Sequence, residues 1–188
     1  MTIRYSTVGI VGTGAMGRGI AQIAAQAGST VQLFDLNPEA CRQAHAAITA
    51  QWDKLQDKGR IDAATADAYK TRLQTAASLG DLHNCDLVVE AAVERLDIKQ
   101  SLFAQLEDIV RPDAVLVTNT SSLSVTAIAA GLKRPAQFAG YHFFNPVPLM
   151  KVVEVIAGLK TDATVCAGLT EYARQMGHTP VQAQDTPG

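Results

Sequence analysis

The sequence predicts an α/β fold, a doubly wound, mostly parallel sheet with a helical arm inserted after the second strand. Three observations carry this. Strand-like apolar runs alternate with helix-like segments along most of the chain. The first run, residues 7–12, passes directly into Gly12-Thr13-Gly14-Ala15-Met16-Gly17, where a helix pattern opens at once. The next run, residues 30–35, ends on Asp35, 18 residues past Gly17.

The glycine loop has a physical logic. Gly12 allows a sharp turn, Gly14 lets a diphosphate approach backbone that carries no Cβ, and Gly17 lets the helix pack close to the strand. The free N–H groups and positive dipole end of that helix face the phosphates, with Ala15 and Met16 in its first turn. A carboxylate at Asp35 accepts both hydroxyls of an adenosine ribose. It also repels a 2′-phosphate, and no Arg follows it, so NAD is favoured over NADP. The fold is therefore read as Rossmann-type. A glycine-rich strand–helix turn in some other α/β protein is the plain alternative.

The remaining elements follow in order. A helix at 15–27 carries Ile20, Ile23, Ala24 and Ala27 on one side and stops at Gly28. Asn37-Pro38 reads as an N-cap with Pro at N1. It opens a long helix to Lys58, and a second helix follows at 62–73 with Asp62 as its cap. This excursion (about 37–73) exceeds a minimal crossover and is expected to project from the sheet as an arm. A short strand is placed near 73–77. Residues 86–91 read as a buried parallel strand. The helix at 97–110 sets Ile98, Leu102, Leu106 and Ile109 on one stripe. Then come a strand at 114–118, a short helix at 124–130, strands at 138–143 and 152–156 joined by Asn145-Pro146-Val147-Pro148, a helix at 162–176 and a strand near 180–183.

Composition narrows the class. The 188 residues suffice for one domain with a sizeable core. A net charge of −2 gives no electrostatic case for nucleic acid or an anionic membrane. Cys41, Cys85 and Cys166 are far apart and show neither metal spacing nor a disulfide framework, which fits a reducing cytoplasm. No metal site is expected. No apolar run approaches the ~20 residues that span a bilayer, and the N-terminus shows no signal peptide. The ending Asp185-Thr186-Pro187-Gly188 is a turn sequence, readable as a linker or as a frayed terminus.

Candidates for chemistry sit at the ends of later strands. Residues Thr118–Ser122 are polar directly after a buried strand. His142 lies between aromatics. Glu154 sits in an apolar strand, on the face of Val152 and Ile156, where a carboxylate is costly unless paired. A hairpin through 145–148 brings Glu154 to His142. A carboxylate on one imidazole nitrogen fixes the tautomer and raises basicity at the other, giving a general base. Singly, His142 reads as a satisfied core histidine and Glu154 as a solvated edge residue. Ser121 and its neighbours Ser122 and Ser124 compete to cap the next helix, Asn119 reads equally as a turn residue, and Glu94 and Lys99 as helix-start and surface charges.

Taken together, Gly12–Gly17, Glu90-Ala91-Ala92-Val93-Glu94, Asn119-Thr120-Ser121-Ser122-Leu123, His142-Phe143-Phe144-Asn145-Pro146-Val147-Pro148 and Val153-Glu154-Val155 resemble the L-3-hydroxyacyl-CoA dehydrogenase family, in family order. The resemblance implies an NAD-dependent enzyme that oxidises a 3-hydroxyacyl-CoA to the 3-oxoacyl-CoA. It implies His142 as general base, Glu154 as its orienting partner and Ser121 on the substrate oxygen. Glu94, Lys99, Asn119 and Asn145 would line the NAD site, with Asp35 on the adenosine ribose. The arm would meet coenzyme A through Lys54 and Lys58. Residues 1–184 would be the NAD-binding domain, and 185–188 the start of a linker to an absent helical domain that supplies the homo-oligomer contact and part of the acyl cleft. Two rivals remain: an NAD-binding module without catalysis, and a methyltransferase using the same glycine turn without the His–Glu pair.

Overall fold

The apolar runs become strands and the amphipathic runs helices in the computed structural model, which describes residues 2–186. In chain order these are β1 (Thr7–Val11), α1 (Ala15–Ala27), β2 (Thr30–Phe34), α2 (Pro38–Asp57), α3 (Ala63–Arg72), β3 (Leu73–Thr75), β4 (Leu87–Glu90), α4 (Leu96–Ile109), β5 (Val115–Thr118), α5 (Val125–Ala129), β6 (Phe138–Phe143), β7 (Val152–Ile156), α6 (Ala163–Gln175) and β8 (Thr179–Ala183). Their ends have local causes. The Asn37 side chain accepts from the backbone N–H groups of Glu39 and Ala40, with Pro38 next in line. Asp62 and Asp162 cap α3 and α6 in the same way. Gly28, at φ +120°, closes α1 in a conformation that favours glycine.

All eight strands join one sheet in the order β3-β2-β1-β4-β5-β6-β7-β8. From β3 through β6 the pairing is parallel. β7 runs antiparallel to β6, and β8 runs parallel to β7. The chain leaves β1 towards β2 and β3, then returns to the other side of β1 as β4. The strand order therefore reverses between β1 and β4, which opens a crevice at their carboxyl ends.

Strand alternation divides the core between two faces. Val8, Ile10, Val89, Val117 and Tyr141 pack with α1, α2 and α6. Val88, Leu116 and Phe138 pack with Phe103 and Leu106 of α4 and Ile128 of α5. Gly17 is where α1 meets the loop before it, since a Cβ there would lie 1.9 Å from the Gly12 carbonyl oxygen. Two details differ from the sequence reading. The buried face of α4 is Lys99, Phe103, Leu106 and Glu107. Ile98 and Leu102 are only half-buried and turn towards the crevice instead. The helical insertion does not stand off as a free arm. Cys41, Ala44, Ile48 and Trp52 of α2 join the main core, and the Trp52 indole N–H donates to Gln26 Oε1 of α1 at 3.0 Å.

The segment after β8 is tied to the domain. The Asp185 carboxylate accepts from the backbone N–H groups of Val125 and Thr126, both at 2.8 Å, and from the Thr126 hydroxyl at 2.6 Å. Of residues 185–188, which the sequence reading takes as the start of a linker, Pro187 and Gly188 lie outside the described residues.

His178 is buried between the α6–β8 turn and the loop after β6. Its Nε2 lies 3.1 Å from the Val147 carbonyl oxygen, and its Nδ1 has no partner among the described residues. Burial lowers its pKa from the usual histidine value. The unfolded chain therefore binds the additional proton. The stability tied to this group is complete above about pH 7 and falls as the pH drops below about 6.5, by at most ~1.4 kcal/mol per pH unit. His178→Gln should flatten that part of the pH profile, read from urea unfolding midpoints on either side of neutrality.

Candidate active site

The crevice at the switch point has two halves that share Ala91 and Ala92. The larger half, about 900 Å³, runs along the glycine loop and is bordered by Phe34, Asp35, Leu79, Ile98 and Leu102. The smaller, about 330 Å³, is lined by Met16, Glu94, Lys99, Asn119, Ser121, His142 and Asn145 among others. Ten of the sequence-predicted residues border these two halves: Gly12, Gly14, Met16, Asp35, Glu94, Lys99, Asn119, Ser121, His142 and Asn145.

The first half fits a dinucleotide on its own geometry. A Cβ built on Gly14 meets nothing within 4 Å, so open space lies over that backbone. Gly14 is the N-cap of α1 and offers no side-chain acceptor, which leaves the first N–H groups of the helix without a capping partner. Gly12 sits at φ +98°, and a Cβ on it would lie 2.6 Å from the Ala91 carbonyl oxygen. Asp35 is held in place: Oδ2 accepts from the Thr13 N–H at 3.0 Å and the Thr13 hydroxyl at 2.8 Å, and Oδ1 accepts from the Asn37 N–H at 2.9 Å. Thr13 is thus a brace that the sequence reading passed over. Gly17 is buried and serves by close packing, and Ala15 faces a neighbouring groove.

The second half is built on buried charge. Lys99 does not lie on the surface, as its place on a helix pattern suggested. It is 1% exposed, and its ammonium donates to Glu90 Oε2 at 2.5 Å and lies 3.3 Å from Glu94 Oε1. Glu90 is fully buried at the end of β4. It also accepts from the Ala92 N–H at 2.7 Å and the Thr118 hydroxyl at 2.7 Å. Glu94 in turn collects the Thr120 hydroxyl at 2.9 Å, the Ser121 N–H at 3.1 Å and the Ser122 hydroxyl at 3.3 Å, with the Ser121 hydroxyl at 3.4 Å. Burial alone pushes the Glu94 carboxyl up, but hydrogen bonds from Thr120 and Ser121 and the charge of Lys99 outweigh it, and Glu94 ionises below its usual range. Ser124, not Ser121, caps α5, accepting from the Ala127 N–H at 3.1 Å. Asn119 has a structural task as well, accepting from the Phe143 N–H at 2.8 Å.

The β6–β7 hairpin supplies the last element. Its register places His142 opposite Glu154, and Nδ1 lies 2.7 Å from Glu154 Oε1. The His142 side chain is 17% exposed and Glu154 34% exposed. With Nδ1 donating to the carboxylate, Nε2 keeps its lone pair free, and no protein partner among the described residues takes it up. Such an imidazole is arranged to receive a proton. Lys54 and Lys58 lie exposed on and just past α2 and border neither half of the crevice.

A switch-point crevice that offers a diphosphate cradle at one end and a carboxylate-braced imidazole at the other defines a dinucleotide-binding domain of the dehydrogenase class. The chain belongs to the 3-hydroxyacyl-CoA dehydrogenase family: the family model for "3-hydroxyacyl-CoA dehydrogenase, NAD binding domain" matches residues 7–186. It is 45% identical over 188 residues to the 3-hydroxyadipyl-CoA dehydrogenase of Escherichia coli K12, covering all of this chain and 40% of that protein. It is 45% identical over 183 residues to a probable 3-hydroxybutyryl-CoA dehydrogenase of Deinococcus radiodurans, covering 96% of this chain and 64% of that one. The crystal structure of (S)-3-hydroxybutyryl-CoA dehydrogenase from Ralstonia eutropha superposes with a TM-score of 0.93 at 38% identity, over 98% of this chain and 65% of that one. The chain thus spans only 40% of the length of the Escherichia coli relative and 64% of the Deinococcus radiodurans one.

Removing one partner of the Glu90–Lys99 pair strands a charge in a dry site. Lys99→Met is expected to cost about 3–5 kcal/mol in urea unfolding, and Glu90→Gln added to it should restore much of that loss.

Proposed function

We propose that this chain is the cofactor-binding and acid–base half of an NAD-dependent dehydrogenase that interconverts (S)-3-hydroxyacyl-CoA and 3-oxoacyl-CoA. The observation that carries this reading is the 2.7 Å contact between His142 Nδ1 and Glu154 Oε1 at the mouth of the cleft that Ser121, Asn119 and Asn145 line.

NAD, when bound, supplies the hydride acceptor. The chain's own residues do the rest. His142 Nε2 takes the proton of the 3-hydroxyl, and the Glu154 carboxylate offsets the positive charge that develops on the ring. The Ser121 hydroxyl holds the substrate oxygen. Glu94 keeps that hydroxyl in position, and Lys99 keeps Glu94 ionised. Asn119 and Asn145 line the same half, while Asp35 faces the adenosine ribose and disfavours a 2′-phosphate. Lys54 and Lys58 are assigned to the phosphates of coenzyme A.

The names of the relatives support the substrate class, since they refer to 3-hydroxyadipyl-CoA and 3-hydroxybutyryl-CoA. Their greater length supports placing part of the acyl cleft, and the contact between copies, outside these 188 residues. The 188 residues alone should then bind NAD but turn over poorly. The three free cysteines fit a reducing compartment such as the cytoplasm, and no helix among the described residues is long and apolar enough to cross a membrane.

In a protein that carries the further length of the relatives, His142→Gln should lower NADH formation from 3-hydroxybutyryl-CoA by ~10²–10⁴-fold while leaving NAD affinity nearly unchanged. Glu154→Gln should give a smaller loss in the same direction. Activity that survives in the His142 variant would remove the dehydrogenase reading and leave a cofactor-binding module.

A further inference from the structure

A third cavity, about 410 Å³, opens between α1, α2 and the loop that joins β6 to β7. Arg18 and Gln22 line it from α1, Ile48 and Gln51 from α2, and Asn145 and Leu149 from the loop. Asn145 belongs also to the reaction half of the crevice, so the two spaces meet at that side chain. The loop sits close on α1 because residue 19 is glycine: a Cβ there would lie 2.6 Å from the Val147 Cβ.

Arg18 is the one charged residue in the lining of this groove. Its Nε donates to the Thr13 carbonyl oxygen at 3.0 Å, which fixes the plane of the guanidinium. Among the described residues the two terminal nitrogens have no acceptor, and no carboxylate lies within ion-pair distance. Arg18 borders neither half of the NAD crevice. Otherwise the lining is apolar or carries the amides of Gln22, Gln51 and Asn145. A groove that shares Asn145 with the reaction half and holds one fixed guanidinium without a carboxylate partner suits a chain-like ligand with an acidic group. A held guanidinium presents its remaining N–H groups as a fork that matches a carboxylate or a phosphate.

We propose that Arg18 and this groove form a subsite for an anionic group of the thioester substrate, a carboxylate at the far end of a dicarboxylic acyl chain or a phosphate of coenzyme A. The inference rests on the substrate class proposed above. It adds to the exposed Lys54 and Lys58 a cation that faces the groove. It also makes residue 18 a determinant of specificity, since charge and fork geometry act together there.

The test is calorimetric binding to the chain saturated with NAD, comparing the wild type with Arg18→Gln and Arg18→Lys. Four probes separate the sources: coenzyme A, adipyl-CoA, the N-acetylcysteamine thioester of adipate, and that of butyrate. Arg18→Gln should weaken the probes that carry the recognised group by about ten-fold or more, with NAD affinity unchanged. Arg18→Lys should recover part of the loss. Weakening of coenzyme A and adipyl-CoA alike identifies a phosphate. Weakening confined to the two adipate probes identifies the terminal carboxylate. The proposal is overturned if no anionic probe binds the wild type, if the butyrate N-acetylcysteamine thioester weakens as much as the others, or if NAD affinity falls in parallel, which would make Arg18 a brace for the glycine loop only. A wild-type chain that fails to bind NAD counts instead against the reading of the preceding subsection.

Discussion

Two opposite charges removed from water hold the reaction half of the crevice in shape. Glu90 and Lys99 are both buried, and neither could be there without the other. An apolar pair of similar volume would serve stability as well. It would not aim an ammonium at Glu94, nor collect the Ala92 N–H and the Thr118 hydroxyl on a single carboxylate. The loops after β4 and β5 are joined through these contacts, and those loops carry Glu94, Asn119 and Ser121 of the cleft.

The two halves of the crevice divide the work by polarity. The glycine-loop half is walled largely by apolar side chains, with Asp35 locked by Thr13 and Asn37 as its acid. The other half gathers Glu94, Lys99, Ser121 and His142 within a small volume. The change of strand order between β1 and β4 puts these contrasting surfaces side by side without either interrupting the core. Two facing cores, one under α1, α2 and α6 and one under α4 and α5, support the sheet from both sides.

Much of this was legible in the sequence, for identifiable reasons. The glycine loop and Asp35 are close in the chain and governed by local backbone geometry, so their roles follow from spacing. The pairing of His142 with Glu154 followed from alternation and a short connection. Lys99 was misread because periodicity tells which side of a helix is apolar but not what lies against it; the partner that buries it, Glu90, comes from a different element. The argument that singles out Glu154, a carboxylate in an apolar strand, applies equally to Glu90. The stripe on α4 shifted because Ile98 and Leu102 face a ligand cleft, which an apolar pattern cannot distinguish from a core. The packing of α2 onto α1 depends on Trp52 finding Gln26, a contact with no trace in either helix alone.

The antiparallel junction of β6 and β7 carries a consequence of its own. Pairing is counted from the strands, so the connecting segment can grow or shrink without disturbing which residues oppose each other. A slip of one position in the ladder is another matter: Val153 or Val155 would then oppose His142, and the carboxylate would swing to the opposite side of the sheet. Proton-accepting ability in this domain is therefore a matter of ladder phase. Insertions between the strands would shift Asn145 and Val147 but leave the pair opposed, whereas a single-residue frame shift within a strand breaks the pair itself.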